Sequence, residues 1–129
     1  MKVLVDTHVA LWALSGDPRL SRRGRAILDG SVSASRFLSL ASVYEIAVKV
    51  SIGKLALGKP LPALYAAFAT DLGLVQLPIS SAHCVALATL PMHHRDQFDR
   101  MLVAQAREEG LALVTADPLL SAYDVRIEW

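Results

Sequence analysis

The chain has 129 residues, of which 53% are hydrophobic and 6% aromatic, and its 13 basic and 12 acidic side chains leave a net charge of +1. This length predicts one domain, residues 1–129, with an aliphatic core. The charge does not fit a protein that coats nucleic-acid phosphates through a large basic excess, and the single cysteine, Cys84, excludes an internal disulfide or a cysteine-rich metal site.

The apolar run near the start of the chain stops at Asp6, which is too early for a signal peptide. No later segment approaches the length of a membrane span. We therefore expect a cytoplasmic protein that makes no contact with a membrane.

Strands and helices alternate along the sequence. The predicted strands are Lys2 to Asp6, Phe37 to Leu40, Leu74 to Leu77, Leu111 to Thr115 and, at an edge, Val125 to Ile127. The predicted helices are Thr7 to Leu14, Ser21 (cap) to Leu28, Val43 to Val50, Pro62 or its neighbour to Asp71, Ser80 or Ser81 (cap) to Ala88, Asp96 to Glu109, and a short one from Asp117-Pro118. Ser42 with Glu45 has the spacing of a capping box. This alternation predicts a three-layer α/β/α fold with a mostly parallel sheet of four to five strands.

Acidic residues recur where predicted strands end or helices begin. Asp6 ends the first strand, Asp117 follows the fourth, and Glu45 lies in the first turns of the helix after the second strand. Asp96 and Asp99 open the helix that leads to the fourth strand. Because the carboxyl ends of parallel strands and the following helix N-termini share one edge of the sheet, we expect these five acids to gather there.

Asp99 lies on the same helix face as Val103 and Ala106, which is the apolar face, so its carboxylate should point into the protein. Glu45 is likewise in line with Ala41. An inward carboxylate is costly unless a cation or several hydrogen bonds meet it.

Each acid also has a purely structural interpretation. These interpretations are helix capping at Asp6, Asp96, Asp99 and Asp117, and an i,i+4 ion pair with Lys49 at Glu45. Carboxylates that converge in a crevice repel one another unless cations neutralise them, and oxygen ligands select Mg²⁺ or Mn²⁺. Such a site can activate water, so the cluster as a whole favours metal-assisted hydrolysis of phosphodiesters.

Four segments, in order over almost the whole chain, resemble the PIN domain and, more narrowly, the VapC-type toxins of bacterial toxin–antitoxin pairs. They are Val5-Asp6-Thr7-His8, Ser42 to Lys49 (Ser-Val-Tyr-Glu-Ile-Ala-Val-Lys), His94 to Ala106 (His-Arg-Asp-Gln-Phe-Asp-Arg-Met-Leu-Val-Ala-Gln-Ala) and Leu113 to Asp117 (Leu-Val-Thr-Ala-Asp).

The resemblance implies an endoribonuclease with a catalytic and metal-binding site for Mg²⁺ or Mn²⁺, formed by Asp6, Glu45, Asp99 and Asp117. It also implies a homodimer and a cognate antitoxin that blocks the site. Thr115 matches the polar residue that supports the last acid, Asp96 matches an extra acid of one subgroup, and Thr7 is a further secondary candidate. Gln97 stands where that subgroup has proline.

Arg95, Arg100 and Lys49 are candidate contacts for RNA phosphates, with solvent-exposed ion pairs as the alternative for the two arginines. His93 and His94 show no partner at metal-ligand spacing, and we expect both in a solvated loop.

Rival functions differ in what they require of the acids. A phosphoacceptor signalling domain needs an acidic pair after the first strand and a lysine after a late strand, and neither Asp6-Thr7 nor Thr115-Ala116 supplies one. A catalytically weak interaction module on the same fold gives no reason to keep the charge cluster. That module and a metal-dependent phosphohydrolase without RNA specificity remain the alternatives.

Overall fold

Five parallel strands form the sheet of the computed structural model, which describes residues 1–129. The strands are β1 (Lys2–Val5), β2 (Ser35–Ser39), β3 (Leu74–Leu77), β4 (Ala112–Val114) and β5 (Ile127–Glu128). Their order across the sheet is β3-β2-β1-β4-β5, and every neighbouring pair is parallel. The predicted parallel sheet, with its edge strand, is confirmed.

Six α-helices and one 3-10 helix connect these strands. They are α1 (Thr7–Ser15), α2 (Arg22–Leu28), α3 (Leu40–Ser51), α4 (Leu61–Leu72), α5 (Ser81–Thr89), α6 (Gln97–Glu109) and the 3-10 helix Pro118–Ala122. None of them has both the length and the apolar character needed to cross a bilayer.

The start of α3 corrects a prediction. Ser39, at the end of β2, caps the helix by accepting a hydrogen bond from the Ala41 amide at 2.9 Å. Ser42, predicted as the cap in a capping box with Glu45, instead lies inside the helix and is buried. Because α3 begins at Leu40, directly after β2 ends at Ser39, the capping position falls on Ser39 and not on Ser42.

The alternation of β-strand side chains divides the interior into two layers. Val3, Val5 and Val114 belong to one apolar cluster, with residues of α1, α2 and α4, whereas Leu4 and Leu113 belong to another, with residues of α6. The sheet is therefore covered on both faces, as the predicted three-layer fold requires.

The chain reverses direction across the sheet at β1. It builds β2 and β3 on one side of β1 and then returns to place β4 on the other. In open parallel sheets, the crevice at the carboxyl ends of the strands flanking such a switch point is the usual ligand site. Asp6 follows β1 and Thr115 follows β4 at this crevice.

Candidate metal centre

Asp6 carries an unsatisfied carboxylate oxygen at the switch point. The residue is 5% exposed, its Oδ2 accepts a hydrogen bond from Thr115 Oγ1 at 2.6 Å, and its Oδ1 is buried without a partner. Burial raises the pKa of Asp6, and the Thr115 hydrogen bond partly offsets this effect. Asp6 is the N-cap residue of α1, and its backbone carbonyl accepts the Ala10 amide at 3.0 Å, but its side chain makes no capping hydrogen bond.

Thr115 joins the first and last acids of the cluster. Its hydroxyl donates to Asp6 and accepts a hydrogen bond from the Asp117 amide at 3.1 Å. Asp117 Oδ1 accepts from the Leu119 amide at 2.9 Å, so this residue does cap the 3-10 helix. Its other oxygen, Oδ2, lies 2.8 Å from His94 Nε2.

Asp99 is the acid whose ionisation is most disturbed. Its side chain is 17% exposed, and Val103 and Ala106, on the same face of α6, are buried as predicted. Burial and then the negative charges of neighbouring acids, Asp6 first, raise the pKa of Asp99 to about 7.

Asp96, and not Asp99, supplies the side chain that caps α6. It caps α6, and its Oδ1 accepts hydrogen bonds from the Phe98 amide at 2.8 Å and the Asp99 amide at 3.3 Å. The predicted capping role is therefore confirmed for Asp96, while the Asp99 side chain takes no part in the cap.

Glu45 is buried beside this cluster, with both oxygens engaged. Oε1 lies 2.8 Å from the donating Thr7 hydroxyl, and Oε2 pairs with Lys49 Nζ at 2.7 Å. Its negative charge raises the pKa values of Asp6 and Asp99. The inward orientation and the predicted ion pair are both confirmed, and each Glu45 oxygen has one hydrogen-bond partner.

A cleft of about 430 Å³ brings Asp6, Asp99 and Asp117 together with His8, Trp12 and Arg19. Three features of the acids fit a divalent cation: the unpartnered Oδ1 of Asp6, the raised pKa of Asp99, and a donor set rich in carboxylate oxygens. Mg²⁺ and Mn²⁺ are the ions that prefer such ligands.

The family model of the PIN domain matches residues 3–125. The chain belongs to the PIN domain family. Proteins of this family are generally nucleases, which indicates hydrolysis of nucleic acid.

Comparison of structures finds the same fold in several solved bacterial structures, one of which is a toxin–antitoxin complex. VapBC2 from Rickettsia felis, bound to a promoter DNA fragment, matches with a TM-score of 0.74 and 14% identity, over 99% of this chain and 98% of that one. A toxin–antitoxin complex from Klebsiella pneumoniae gives 0.68 and 18%, over 97% and 94%. FitAcB from Neisseria gonorrhoeae gives 0.67 and 22%, over 98% and 96%. No curated protein matches the sequence of this PIN domain.

His94 corrects a second prediction, because its side chain lies against two acids of the PIN domain and is not solvated. Its side chain is 12% exposed, and Nε2 lies 2.8 Å from Asp117 Oδ2 and 3.5 Å from Asp99 Oδ2. The segment between α5 and α6 is held in place by the Tyr123 hydroxyl, which accepts hydrogen bonds from the His93 and His94 amides at 3.1 and 3.0 Å.

The tautomer of His94 follows from its second nitrogen. Nδ1 accepts the Asp96 amide at 3.0 Å, so in the neutral ring the proton is on Nε2, which donates to Asp117. A metal-ligating histidine normally donates its other N–H to a partner. With this tautomer His94 is therefore a hydrogen-bond donor to Asp117, and not a metal ligand.

The three cations predicted to contact RNA lie in different environments. Arg100 is 7% exposed and donates to the Leu90 carbonyl at 3.0 Å and to Gln97 Oε1 at 2.9 Å, so the exposed ion pair is wrong for it. It joins the end of α5 to α6. Arg95 is exposed and its side chain makes no hydrogen bond or ion pair, whereas Lys49 is bound to Glu45.

Proposed function

We propose that this PIN domain is a Mg²⁺- or Mn²⁺-dependent endoribonuclease and the toxin of a toxin–antitoxin pair. The observation that carries the proposal is the convergence of Asp6, Asp99 and Asp117 in one cleft at the switch point, with a buried oxygen that lacks a partner. A structural role alone does not account for this arrangement, since burial and the negative charge of Asp6 raise the cost of ionising Asp99. Family membership supports the nuclease activity.

In this proposal Asp6, Asp99 and Asp117 hold the ion, which when bound supplies an activated water and stabilises negative charge on the phosphate. Thr115 keeps the first and last of these acids in register through its single hydroxyl. Glu45 adds negative potential, which its partner Lys49 partly neutralises. The hydrolysis requires no Ser, Cys or His nucleophile.

The resemblance supports RNA as the substrate and an antitoxin as the partner, and the similar fold of the Klebsiella pneumoniae toxin–antitoxin complex also supports the partner. In our proposal the antitoxin blocks the cleft. We also propose a homodimer, which is supported by exposed large apolar side chains such as Tyr44 (64% exposed), Val85 (68%) and Met92 (67%). Light scattering should then give a mass of about twice 13.9 kDa.

The decisive experiment is cleavage of a mixed cellular RNA pool by the purified protein, with Mg²⁺, with Mn²⁺ and with EDTA. We expect discrete cuts that need the metal and are abolished in Asp6→Asn and Asp99→Asn. Asp124→Asn is the matched control, because Asp124 is exposed and its side chain makes no hydrogen bond or ion pair.

Two other results would each replace the proposal. If folded, antitoxin-free protein shows no metal-dependent cutting, the interaction module becomes the better description. If it hydrolyses simple phosphate esters and DNA as well as RNA, it is a phosphohydrolase without RNA specificity.

A further inference from the structure

One wall of the acidic cleft is formed by His8, Trp12 and Arg19, to which the metal chemistry assigns no role; we call it the stacking wall. His8 and Trp12 are one helical turn apart on α1, with ring centroids 6.3 Å apart. The Arg19 guanidinium carbon lies 4.8 Å from the centroid of the Trp12 ring, in a cation–π contact. The wall thus presents three planar groups next to the acids.

The plane of the Arg19 guanidinium is fixed by Asp17. Arg19 Nε and Nη2 donate to the two oxygens of Asp17 at 3.1 and 2.7 Å, and the Arg19 amide donates to the same carboxylate at 2.9 Å. The side chain of Arg19 is nevertheless 68% exposed. Because Asp17 neutralises much of its charge, what Arg19 offers to a ligand is a flat, oriented surface rather than an unpaired cation.

The stacking wall continues into an apolar groove of about 470 Å³, which shares His8, Trp12 and Arg19 with the cleft. Leu11, Leu14, Leu57 and Leu64 line this groove, and Lys59 lies at its rim. A polymer whose phosphate reaches the acids therefore meets flat aromatic and guanidinium surfaces next, then aliphatic side chains and a lysine.

We propose that the stacking wall binds one unpaired nucleobase adjacent to the scissile phosphate. The inference rests on the proposed function, since it is the acids that place the phosphodiester in the cleft. Stacking on aromatic and Arg planes is how proteins bind unpaired bases with little sequence preference. Bases inside a duplex are already stacked on each other and are not available to this wall.

Binding to a cleavage-inactive protein tests the inference without reference to activity. The parent is Asp99→Asn with Trp129→Phe, in which Trp12 is the only tryptophan. We expect a short single-stranded RNA oligonucleotide to quench its fluorescence, and a duplex of the same sequence to quench it far less. Anisotropy of a labelled oligonucleotide gives the affinity of each variant.

Variants of Arg19 distinguish the contribution of stacking to RNA affinity from that of charge, and they do not alter a core residue because Arg19 is exposed. We expect Arg19→Ala to weaken binding between about 5-fold and 150-fold, the range for loss of one stacked base. Arg19→Lys should be nearly as weak, because lysine keeps the charge but lacks the plane. Arg22→Ala is the control, since Arg22 is exposed and lies outside both cavities. Trp12→Phe should retain more affinity than Trp12→Leu.

The possible results are distinguishable. Unchanged affinity in both Arg19 variants and in Trp12→Leu would overturn the inference and leave the groove as a protein-docking surface, even if metal-dependent cleavage by the native chain stands. A loss in Arg19→Ala that Arg19→Lys restores would also overturn it, because charge alone would then explain binding. Base binding at the wall without any cleavage by the native chain would overturn the nuclease and leave the wall as a binding site.

Discussion

Replacing Asp99 by asparagine should stabilise the metal-free protein in a pH-dependent way. The pKa of Asp99 is raised from 3.8 to about 7 in the fold. Between these values the folded chain binds more protons than the unfolded one, so stability falls as the pH rises from about 4 to about 7. An asparagine at this position keeps the shape of the side chain but cannot ionise, so the variant escapes this loss.

The size of the effect follows from the same shift. The interval from 3.8 to about 7 corresponds to roughly 4 kcal/mol. Asp99 is 17% exposed and its surroundings can relax, so we expect a gain of about 2–4 kcal/mol at pH 8 and little at pH 4. With Mn²⁺ the native chain should become more stable than the Asp99→Asn variant, because a bound ion stabilises the folded chain and the variant lacks one of the proposed ligands.

Urea unfolding at pH 4, 6 and 8, with EDTA and then with Mn²⁺, provides the measurement. Asp124→Asn makes the same chemical change at an exposed position and should differ little from the native chain at any pH. The reasoning would be refuted if Asp99→Asn gained nothing between pH 4 and pH 8. It would also be refuted if Mn²⁺ stabilised the native chain and the Asp99→Asn variant equally.

Three further predictions concern neighbours of the acids. Thr115→Val should cost about 1–3 kcal/mol of stability, because Asp6 loses its hydrogen-bond donor, and should sharply lower cleavage; thermal unfolding and an RNA assay measure the two effects. His94→Ala should bind Mn²⁺ within a few-fold of the native affinity by calorimetry, and a loss of 100-fold or more would mean that the ring turns and ligates. Arg100→Met should destabilise the fold by about 1–3 kcal/mol, because carbonyls lose their donor, yet leave RNA affinity unchanged; weaker RNA binding would contradict its structural role.

Much of the fold can be read from local patterns. All five strands and the helices between them were predictable because side-chain periodicity follows from whether a segment faces one layer or two. The start of α3 was misplaced because Ser39 and Ser42 are both good caps, and only the junction with β2 selects the first.

The candidate site was predictable in part for a related reason. Residues that end parallel strands must share an edge, so the positions of Asp6, Glu45, Asp99 and Asp117 along the chain already indicated a cluster. Which oxygens remain free was not predictable. Glu45 is engaged by Thr7 and Lys49, whereas Asp6 keeps an oxygen without a partner.

The sequence by itself determined the parallel sheet and the edge at which its acids meet, because both depend on the order and periodicity of neighbouring residues. The tertiary structure decided which side chains enter the cleft. His94 forms a hydrogen bond with Asp117, 23 residues away in the sequence. Arg100 donates to a backbone carbonyl at the end of α5. Neither contact leaves a local signal in the sequence. Hydrogen bonds between distant segments depend on how the layers pack, and periodicity carries no information about that.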